Sequence, residues 1–316
     1  MILAPLQGTT WRRVQEAEGR RVLSGHGEGW VAQAIVEERR VGRYLYCPYG
    51  PVARDDESFD AALHWLFTQA QETRSWFLRV EPPSPSGWLR QATDKEIFRR
   101  RTALQHRGFQ RAARALQPLR TRCLDLTVGE PELLGAMTGT NRTLHRSTTK
   151  RGLTIEASHD PGDIHHLISL LASTAQRQDF RSRDSAHLET LAETALPTGA
   201  GTLFLARQGD QILGANLVID DGGVRMFLHG ASDPAYRKLR AQQSLTVAAV
   251  LDGRERKLEA ADLFGIAPND DPEHPWAGFT KFKASFGGHV LEHLGAWDLP
   301  IRPAAYHALR TVQRIR

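Results

Sequence analysis

Apolar and polar positions alternate from Trp30 to Glu37. A second alternating run, Arg43 to Cys47, follows a Val-Gly turn, so the pair predicts a β-hairpin. The period then changes. Between Glu57 and Gln71 the apolar residues Phe59, Ala62, Leu63, Leu66, Phe67 and Ala70 recur at helical spacing, with Asp56 placed to cap the first turn. Trp76 to Val80 reads as a short buried strand stopped by Pro82-Pro83. Asp94 to His106 reads as a strongly basic helix, Cys123 to Leu126 as a strand, and Pro131 opens a helix expected to run to about Lys150.

The second half follows the same order. Leu153 to Ala157 predicts a strand, and Ile164 to Ala175 and Ser185 to Ala195 predict helices. Thr202 to Arg207, Gln211 to Asp220 and Val224 to His229 predict three strands joined by the turns Gly209-Asp210 and Gly222-Gly223. Leu239 to Leu251 predicts a helix, Ala260 to Phe264 a strand, Val290 to Leu294 another, and Pro303 begins a C-terminal helix. A hairpin, a helix, a strand and a helix, used twice, predict an α/β protein of two mixed-sheet halves. The order resembles the acyltransferase fold of the GNAT type in tandem. The expected division is 1–143 completed by 299–316, and 144–298, with the halves packed together and no heptad run to form a coiled-coil arm.

Composition narrows the class. A 41% hydrophobic content supports a core and 24% charged residues suits a soluble surface. No apolar run approaches the roughly 20 residues needed to span a bilayer. Met1 to Gly8 has no basic segment ahead of its short apolar start, so a cytoplasmic location is expected. Cys47 and Cys123 lie far apart in strand-like runs and are expected to be reduced and buried. The net charge of +5 is concentrated: Lys95 to Arg151 holds 13 Lys and Arg against 4 Asp and Glu. Such a stretch fits a polyanionic partner, and equally a solvated arginine-rich face.

Several motifs carry more specific information. Leu6-Gln7 is followed by Trp11. Tyr46-Cys47-Pro48-Tyr49-Gly50-Pro51-Val52 makes a stiff turn around a glycine that lets backbone approach closely. Phe77-Leu78-Arg79-Val80-Glu81-Pro82 places a carboxylate where a strand leaves the core; Arg79 and Glu81 share a face, so an ion pair between them is the plain alternative. Pro118 precedes Leu124-Asp125-Leu126. Arg142, His145, Arg146 and Lys150 fall on one face of the helix expected there. Then come Thr174-x-x-Arg177-x-x-Phe180, His229-Gly230-Ala231-Ser232 with Tyr236-Arg237, Ala261-Asp262-Leu263-Phe264-Gly265-Ile266-Ala267-Pro268, and Gly295-Ala296-Trp297-Asp298-Leu299-Pro300. The last is read as packing and Asp262 as a structural organiser of a strand end. The most informative stretch runs from His274-Pro275-Trp276 through Lys281-Phe282-Lys283 to Gly287-Gly288: a proline suited to a first helical turn, two lysines bracketing an apolar anchor, and closing glycines.

In order and spacing these motifs resemble, over nearly the whole chain, the FemABX family of aminoacyl-tRNA-dependent transferases that build peptidoglycan cross-bridges. Three positions depart from the family pattern: Gln15 stands where a basic residue is common, and Ala261 and Leu263 replace aromatic residues. The resemblance implies transfer of an amino acid from aminoacyl-tRNA to a side-chain amine of a peptidoglycan precursor, nucleotide- or lipid-linked, with peripheral association at the inner membrane face and no cofactor or metal. It implies that Lys283 faces the developing oxyanion or the tRNA 3′ end and that Phe282 positions it or stacks on the terminal adenine. Glu81 would orient the acceptor amine. Arg177, with Tyr236 or Arg237, would hold the diphosphate. Tyr49, Gly50 and His229 would line the substrate site, and Arg142, Arg146 and Lys150 would meet tRNA phosphates.

Other classes fit less well. The histidines lack the spacing of a zinc site, and no Gly-x-Ser-x-Gly elbow, P-loop or dinucleotide fingerprint is present. An acyl-CoA-dependent N-acyltransferase remains the first alternative. The turn that would hold pyrophosphate reads Arg237-Lys238-Leu239-Arg240-Ala241-Gln242, with Arg240 in place of a glycine. A non-catalytic protein binding RNA or a membrane surface is the second alternative.

Overall fold

The structure, a computed structural model, describes residues 4–39, 42–178 and 185–315, with the side chains of 39, 175–178, 309 and 311–315 left out of the description. In chain order the elements are α1 (Thr9–Ala17), β1 (Arg21–Gly27), β2 (Trp30–Arg39), β3 (Gly42–Cys47), β4 (Val52–Ala53), α2 (Asp56–Glu72), β5 (Phe77–Val80), α3 (Asp94–His106), β6 (Gln110–Arg111) and β7 (Arg120–Asp125). There follow α4 (Glu130–Ala136), α5 (Gly139–Arg146), β8 (Thr154–Ser158), α6 (Ile164–Gln178), α7 (Ser185–Ala195), β9 (Gly201–Gln208), β10 (Gln211–Asp221) and β11 (Val224–Ser232). The chain ends with α8 (Ala241–Glu255), β12 (Ala260–Gly265), α9 (Ala277–Ala284), β13 (His289–Glu292), β14 (Trp297–Pro300) and α10 (Pro303–Ile315).

The chain divides into two units, Met1–Thr121 with Val290–Arg316, and Arg122–His289. The cuts fall earlier than the expected 143/144 and 298/299, and burial explains both. Leu124, Leu126, Leu133 and Met137 join a core with Val247, Val250 and Phe286 of the second unit. Leu294 and Trp297 join the core of Phe59, Leu63, Leu66 and Leu78 in the first.

Two mixed sheets bear out the α/β reading. The first runs β1-β2-β3-β5-β14-β6, with β4 also paired to β2. The second runs β13-β7-β12-β11-β10-β9-β8. In each, an antiparallel meander ends in a strand that pairs in parallel with the strand reached after one long helix: β3 with β5 beyond α2, and β11 with β12 beyond α8. That common order is the repeat the sequence implied. Among the described residues the longest helix is α2, 17 residues, so nothing resembles a coiled-coil arm.

Local chemistry adjusts several boundaries. Asp55, not Asp56, caps α2: its carboxylate accepts from Ser58 N at 2.9 Å, while Ser58 Oγ accepts from Asp55 N at 3.0 Å. These bonds to Ser58 hold the Asp55 carboxyl down at about 2. Asp56 instead pairs with Arg99 and Arg100. The long helix expected from Pro131 to Lys150 is broken. Met137 and Thr138 are extended, and Thr138 caps a fresh helix, α5, through Asn141 N. A threonine side chain offers the backbone that alternative to a continuing helix. The helix expected from Leu239 begins only at Ala241, because Pro234–Leu239 forms a 3-10 turn and Arg240 sits at φ +48°.

The Arg79–Glu81 ion pair, the plain alternative for that motif, is not among the pairs of the described residues. Arg79 makes two bonds to Asp298, at 2.7 and 2.8 Å, and Tyr306 Oη donates to the same carboxylate at 2.9 Å. The Gly295–Pro300 motif therefore supplies a buried ion pair as well as packing. Removing Asp298 leaves a buried guanidinium without its counter-charge. Asp298→Ala is expected to lower unfolding stability by about 3–5 kcal/mol. Denaturant titration of the variant checks this; an unchanged midpoint would mean that the pair contributes nothing net.

Candidate active site

In the second sheet β11 and β12 pair for only three residues, Val224–Met226 against Ala260–Asp262. Beyond Met226, β11 continues along β10 alone to Ser232. A cavity of about 1140 Å³ lies there, lined by Phe227 to Asp233, Leu263 and Phe264, by α8 from Ala241 to Thr246, and by α9 and its approach.

One carbonyl aims the cation of this cavity. Asp262, fully buried, accepts from Phe264 N at 2.7 Å, and Phe264 adopts the left-handed conformation, φ +66°. At the next residue, the last of β12, Gly265 O accepts from Lys283 Nζ at 2.6 Å. Burial holds the Lys283 ammonium down at about 8, and Asp262 opposes that shift by attraction. Thr280 of α9 accepts from Ala267 N at 2.9 Å, tying helix to turn. Phe282 meets Phe286 edge-on at 5.1 Å between ring centres, and Phe286 is buried in the core. Phe282 is thereby held beside Lys283 and lines the same cavity.

The helix break at Met137–Thr138 belongs to this construction. Thr138 N donates to Ser285 O at 2.9 Å, and Asn141 Nδ2 donates to Ser285 O and Oγ at 3.1 and 2.8 Å, securing the end of α9. At Gly288, φ +70°, a β-carbon would overlap the carbonyl of Cys123, so the signature's second closing glycine is required by a close backbone crossing.

Thus the cavity gathers His229, Tyr236, Arg237, Phe282 and Lys283 from the sequence-derived candidates, together with Thr174. Tyr236 Oη bonds Gln211 at 2.8 Å, and Arg237 is exposed. The side chain of Arg177 and all of Phe180 lie outside the described residues.

Glu81, Tyr49 and Gly50 belong to the first unit. Glu81 is buried, and its carboxylate accepts from Tyr46 Oη at 2.6 Å, Leu116 N at 2.6 Å and Gln117 N at 3.0 Å. Burial raises its pKa against the opposing effect of those bonds. Tyr49 is buried, with its hydroxyl bonded to Pro118 O and its ring 4.5 Å from that of His293. At Gly50 the group that comes close is Gln7, which donates to Gln33 O and Pro48 O and accepts from Gln33 N. The Leu6-Gln7 motif is thus a staple under this turn. Gln15, the departure from the family's basic position, is fully buried and accepts from Arg20 at 2.6 Å.

The basic stretch is partly committed to structure. Arg142 donates to the carbonyls of Gly135 and Met137 at the end of α4, Arg101 pairs with Glu292, Arg107 with Asp60, and Arg151 bonds Leu144 O and Ser244. Arg146 and Lys150 are exposed. Residues missed from sequence include His293, fully buried and held down at about 3 by desolvation, and Asn216 and Gln242 in the cavity wall. Only the break in apolar pattern at Asn216, inside a strand of Leu, Ala and Val, hinted at any of them. Neither cysteine is in a disulfide, and both are buried. Among the described residues no cluster of three or more His, Cys, Asp or Glu could hold a metal ion, and no helix is long and apolar enough to cross a membrane.

Because Lys283 holds its proton to about pH 8 when folded and to the usual lysine range when unfolded, the unfolded chain binds more protons between those values. Stability should therefore rise with pH above 8. Below pH 8 the burial cost, up to about 3 kcal/mol, is present in full. The stability difference between Lys283→Met and the parent should accordingly change between pH 7 and pH 10, in the parent's favour at the higher pH. Urea midpoints for both proteins test it, and parallel pH profiles would contradict a depressed lysine.

The chain is similar to known proteins along its length. The FemAB family model matches residues 200–314. The lipid II:glycine glycyltransferase of Staphylococcus saprophyticus is 21% identical, with 98% of this chain and 91% of that protein covered. Its Staphylococcus aureus counterpart is 26% identical over 98% and 90%. The crystal structure of FemX superposes with a TM-score of 0.82 at 18% identity, over 97% of this chain and 94% of that one. A tandem GNAT protein of clavulanic acid biosynthesis gives 0.52 at 12%, over 89% and 83%. The last two speak to fold alone. The family match over the last third of the chain, joined to the full-length relatives, bears out the resemblance to the FemABX family that the ordered motifs carry.

Proposed function

We propose that this protein is an aminoacyltransferase of peptidoglycan cross-bridge formation, taking its amino acid from aminoacyl-tRNA and delivering it to a side-chain amine of a lipid-linked precursor. The observation that carries the reading is the Lys283 ammonium, held by Gly265 O inside a cavity that also contains Phe282, His229, Tyr236 and Arg237. The relatives' activity, as glycyltransferases on lipid II, supports the substrate class.

The chemistry needs no external energy source. The acceptor nitrogen attacks the ester carbonyl, a tetrahedral oxyanion forms, and the bond from carbonyl carbon to the ribose 3′ oxygen breaks. The nitrogen loses a proton and the departing oxygen gains one. A free lysine-type amine, pKa about 10.4, is mostly protonated at neutral pH, and deprotonating it costs roughly 4.6 kcal/mol. In the proposed assignment Lys283 faces the oxyanion and Phe282 packs beside the terminal nucleoside. Arg177 with Tyr236 or Arg237 holds the diphosphate, and His229 lines the substrate cavity. Glu81, whose carboxylate is taken by Tyr46, Leu116 and Gln117, and the buried Tyr49 with Gly50 shape the first unit's turn. Arg146 and Lys150, exposed, meet tRNA phosphates, with Arg142 bonded from α5 back to the carbonyls of Gly135 and Met137. Placement in the cytoplasm and contact with the inner membrane face complete the proposal.

Against an acyl-CoA donor stands the start of α8, where Arg240 occupies a left-handed position in place of the glycine that a pyrophosphate-binding turn would use. Lys283→Met should cut transfer by about 100-fold or more while the fold is kept. The check is movement of labelled amino acid from tRNA to lipid-linked precursor, with acetyl-CoA as a parallel donor. Undiminished transfer by the variant removes Lys283 from the mechanism, and transfer from acetyl-CoA alone replaces the proposal.

A further inference from the structure

Asn216 stands in the middle of β10, is 4% exposed, and lines the cavity. Its neighbours in the strand are Ala215, Leu217 and Val218, all buried, so an amide there has no packing advantage. Among the described residues no hydrogen bond is made to that amide. Opposite it on β11 stands Gly230. A β-carbon on Gly230 would collide with Asn216 Oδ1 and would lie 3.4 Å from Oε1 of Gln242. Gln242 is oriented by its other end: its Nε2 donates to Ala215 O at 3.3 Å and to Ala231 O at 2.5 Å. Its carbonyl is therefore the part left facing Gly230. Two side-chain carbonyl oxygens converge over a glycine in the wall of the cavity that holds Lys283. Both are acceptors, and both lie within 3.4 Å of the position a β-carbon on Gly230 would take.

We propose that Asn216 and Gln242, over Gly230, form the subsite for the α-ammonium of the amino acid being transferred. This rests on the aminoacyl-donor reading above. Of the two amines in that reaction, the acceptor's must lose its proton and attack, so a pocket of acceptors that holds it as an ammonium would oppose the chemistry. The donor's α-ammonium does not react. It lies one carbon from the ester carbonyl, so a group that grips it and a cation that faces the carbonyl oxygen must share a cavity, as Asn216 and Lys283 do. Other titratable groups lining the cavity are His229, Asp233, Tyr236, Arg237, Arg240 and Lys281. Asp233 is turned to Ala235 N at 2.8 Å. The neutral oxygens of Asn216 and Gln242 thus offer the ammonium its hydrogen bonds without a second carboxylate.

The test compares three donors: aminoacyl-tRNA, the same tRNA carrying the α-hydroxy acid, and its N-acetyl-aminoacyl form. The parent protein should favour the free amine by roughly tenfold or more in kcat/KM, the worth of hydrogen bonds to a charged group. Asn216→Leu should lose that preference, chiefly by reacting more slowly with the amine, and should use the hydroxy-acid donor within about twofold of the parent. Asn216→Asp, which keeps an oxygen, should retain the preference. Equal losses on all donors in Asn216→Leu, or no preference in the parent, would overturn the subsite. Binding of an amino acid methyl ester and its N-acetyl derivative, followed by NMR titration, reads the same site without tRNA. Selective binding of the free amine that vanishes in Asn216→Leu supports the subsite even if no tRNA donor is used. Equal binding of both esters overturns it.

Discussion

The parting of β11 from β12 after Met226 and Asp262 is the constraint from which the site follows. While the strands are paired, the sheet is closed, and Ala261 of β12 and Val247 of α8 pack into one core. Once they separate, side chains of β11, β12, α8 and α9 face open space. The separation is built locally. Asp262 captures the amide of Phe264, Phe264 takes the left-handed conformation near the end of β12, and the carbonyl of Gly265, the strand's last residue, accepts from Lys283. A buried lysine next to a carbonyl, with one carboxylate acting on it, keeps its charge near neutrality yet is poorly solvated. That is the state in which a cation interacts most strongly with charge that develops later.

The first unit uses the same topology for a different end. Its parallel pair, β3 and β5, is followed by Glu81, and the carboxylate is consumed by two backbone amides and a tyrosine hydroxyl. Beside it, Gln7 fills the space under Gly50 and Asp298 neutralises Arg79. Conserving buried polar groups in complete networks limits the cost of burying them. In that unit the polar motifs close on one another. In the second unit they stop short and leave Lys283, Asn216 and the rim of α8 facing a cavity.

Periodicity disclosed most of the strands and long helices because their apolar faces are continuous: α2, β10 and α8 read directly from Leu, Ala and Val spacing. It failed where side chains compete with the backbone. Thr138 and Arg240 end or delay helices that apolar spacing would continue, and neither effect is visible without knowing what Ser285 or the 3-10 turn requires. Short strands such as β6 and β14 escaped because two to four residues carry no period. The site was legible in its cationic signature, since glycines, prolines and lysines at fixed offsets are rare together. Its acceptor wall was not: one Asn in a strand and one Gln in a helix acquire meaning only when Gly230 brings them together.

Charge along the chain illustrates the same limit. The concentration of arginine between Lys95 and Arg151 invites a single polyanionic footprint, yet several of these residues have internal duties. Arg99 and Arg100 share Asp56, Arg122 bonds the carbonyls of Gly287 and Gly288, and Arg142 caps α4. A guanidinium with five donors can terminate helices and join turns where a lysine cannot. Arginine abundance therefore measures internal carbonyl and carboxylate pairing as well as affinity for phosphate. The cations left to solvent, Arg146 and Lys150 among them, are the ones whose charge is available to a large anion. They follow the same break at Thr138 that anchors the end of the Lys283 helix, so the local geometry that fixes Lys283 in its cavity also fixes where these cations stand.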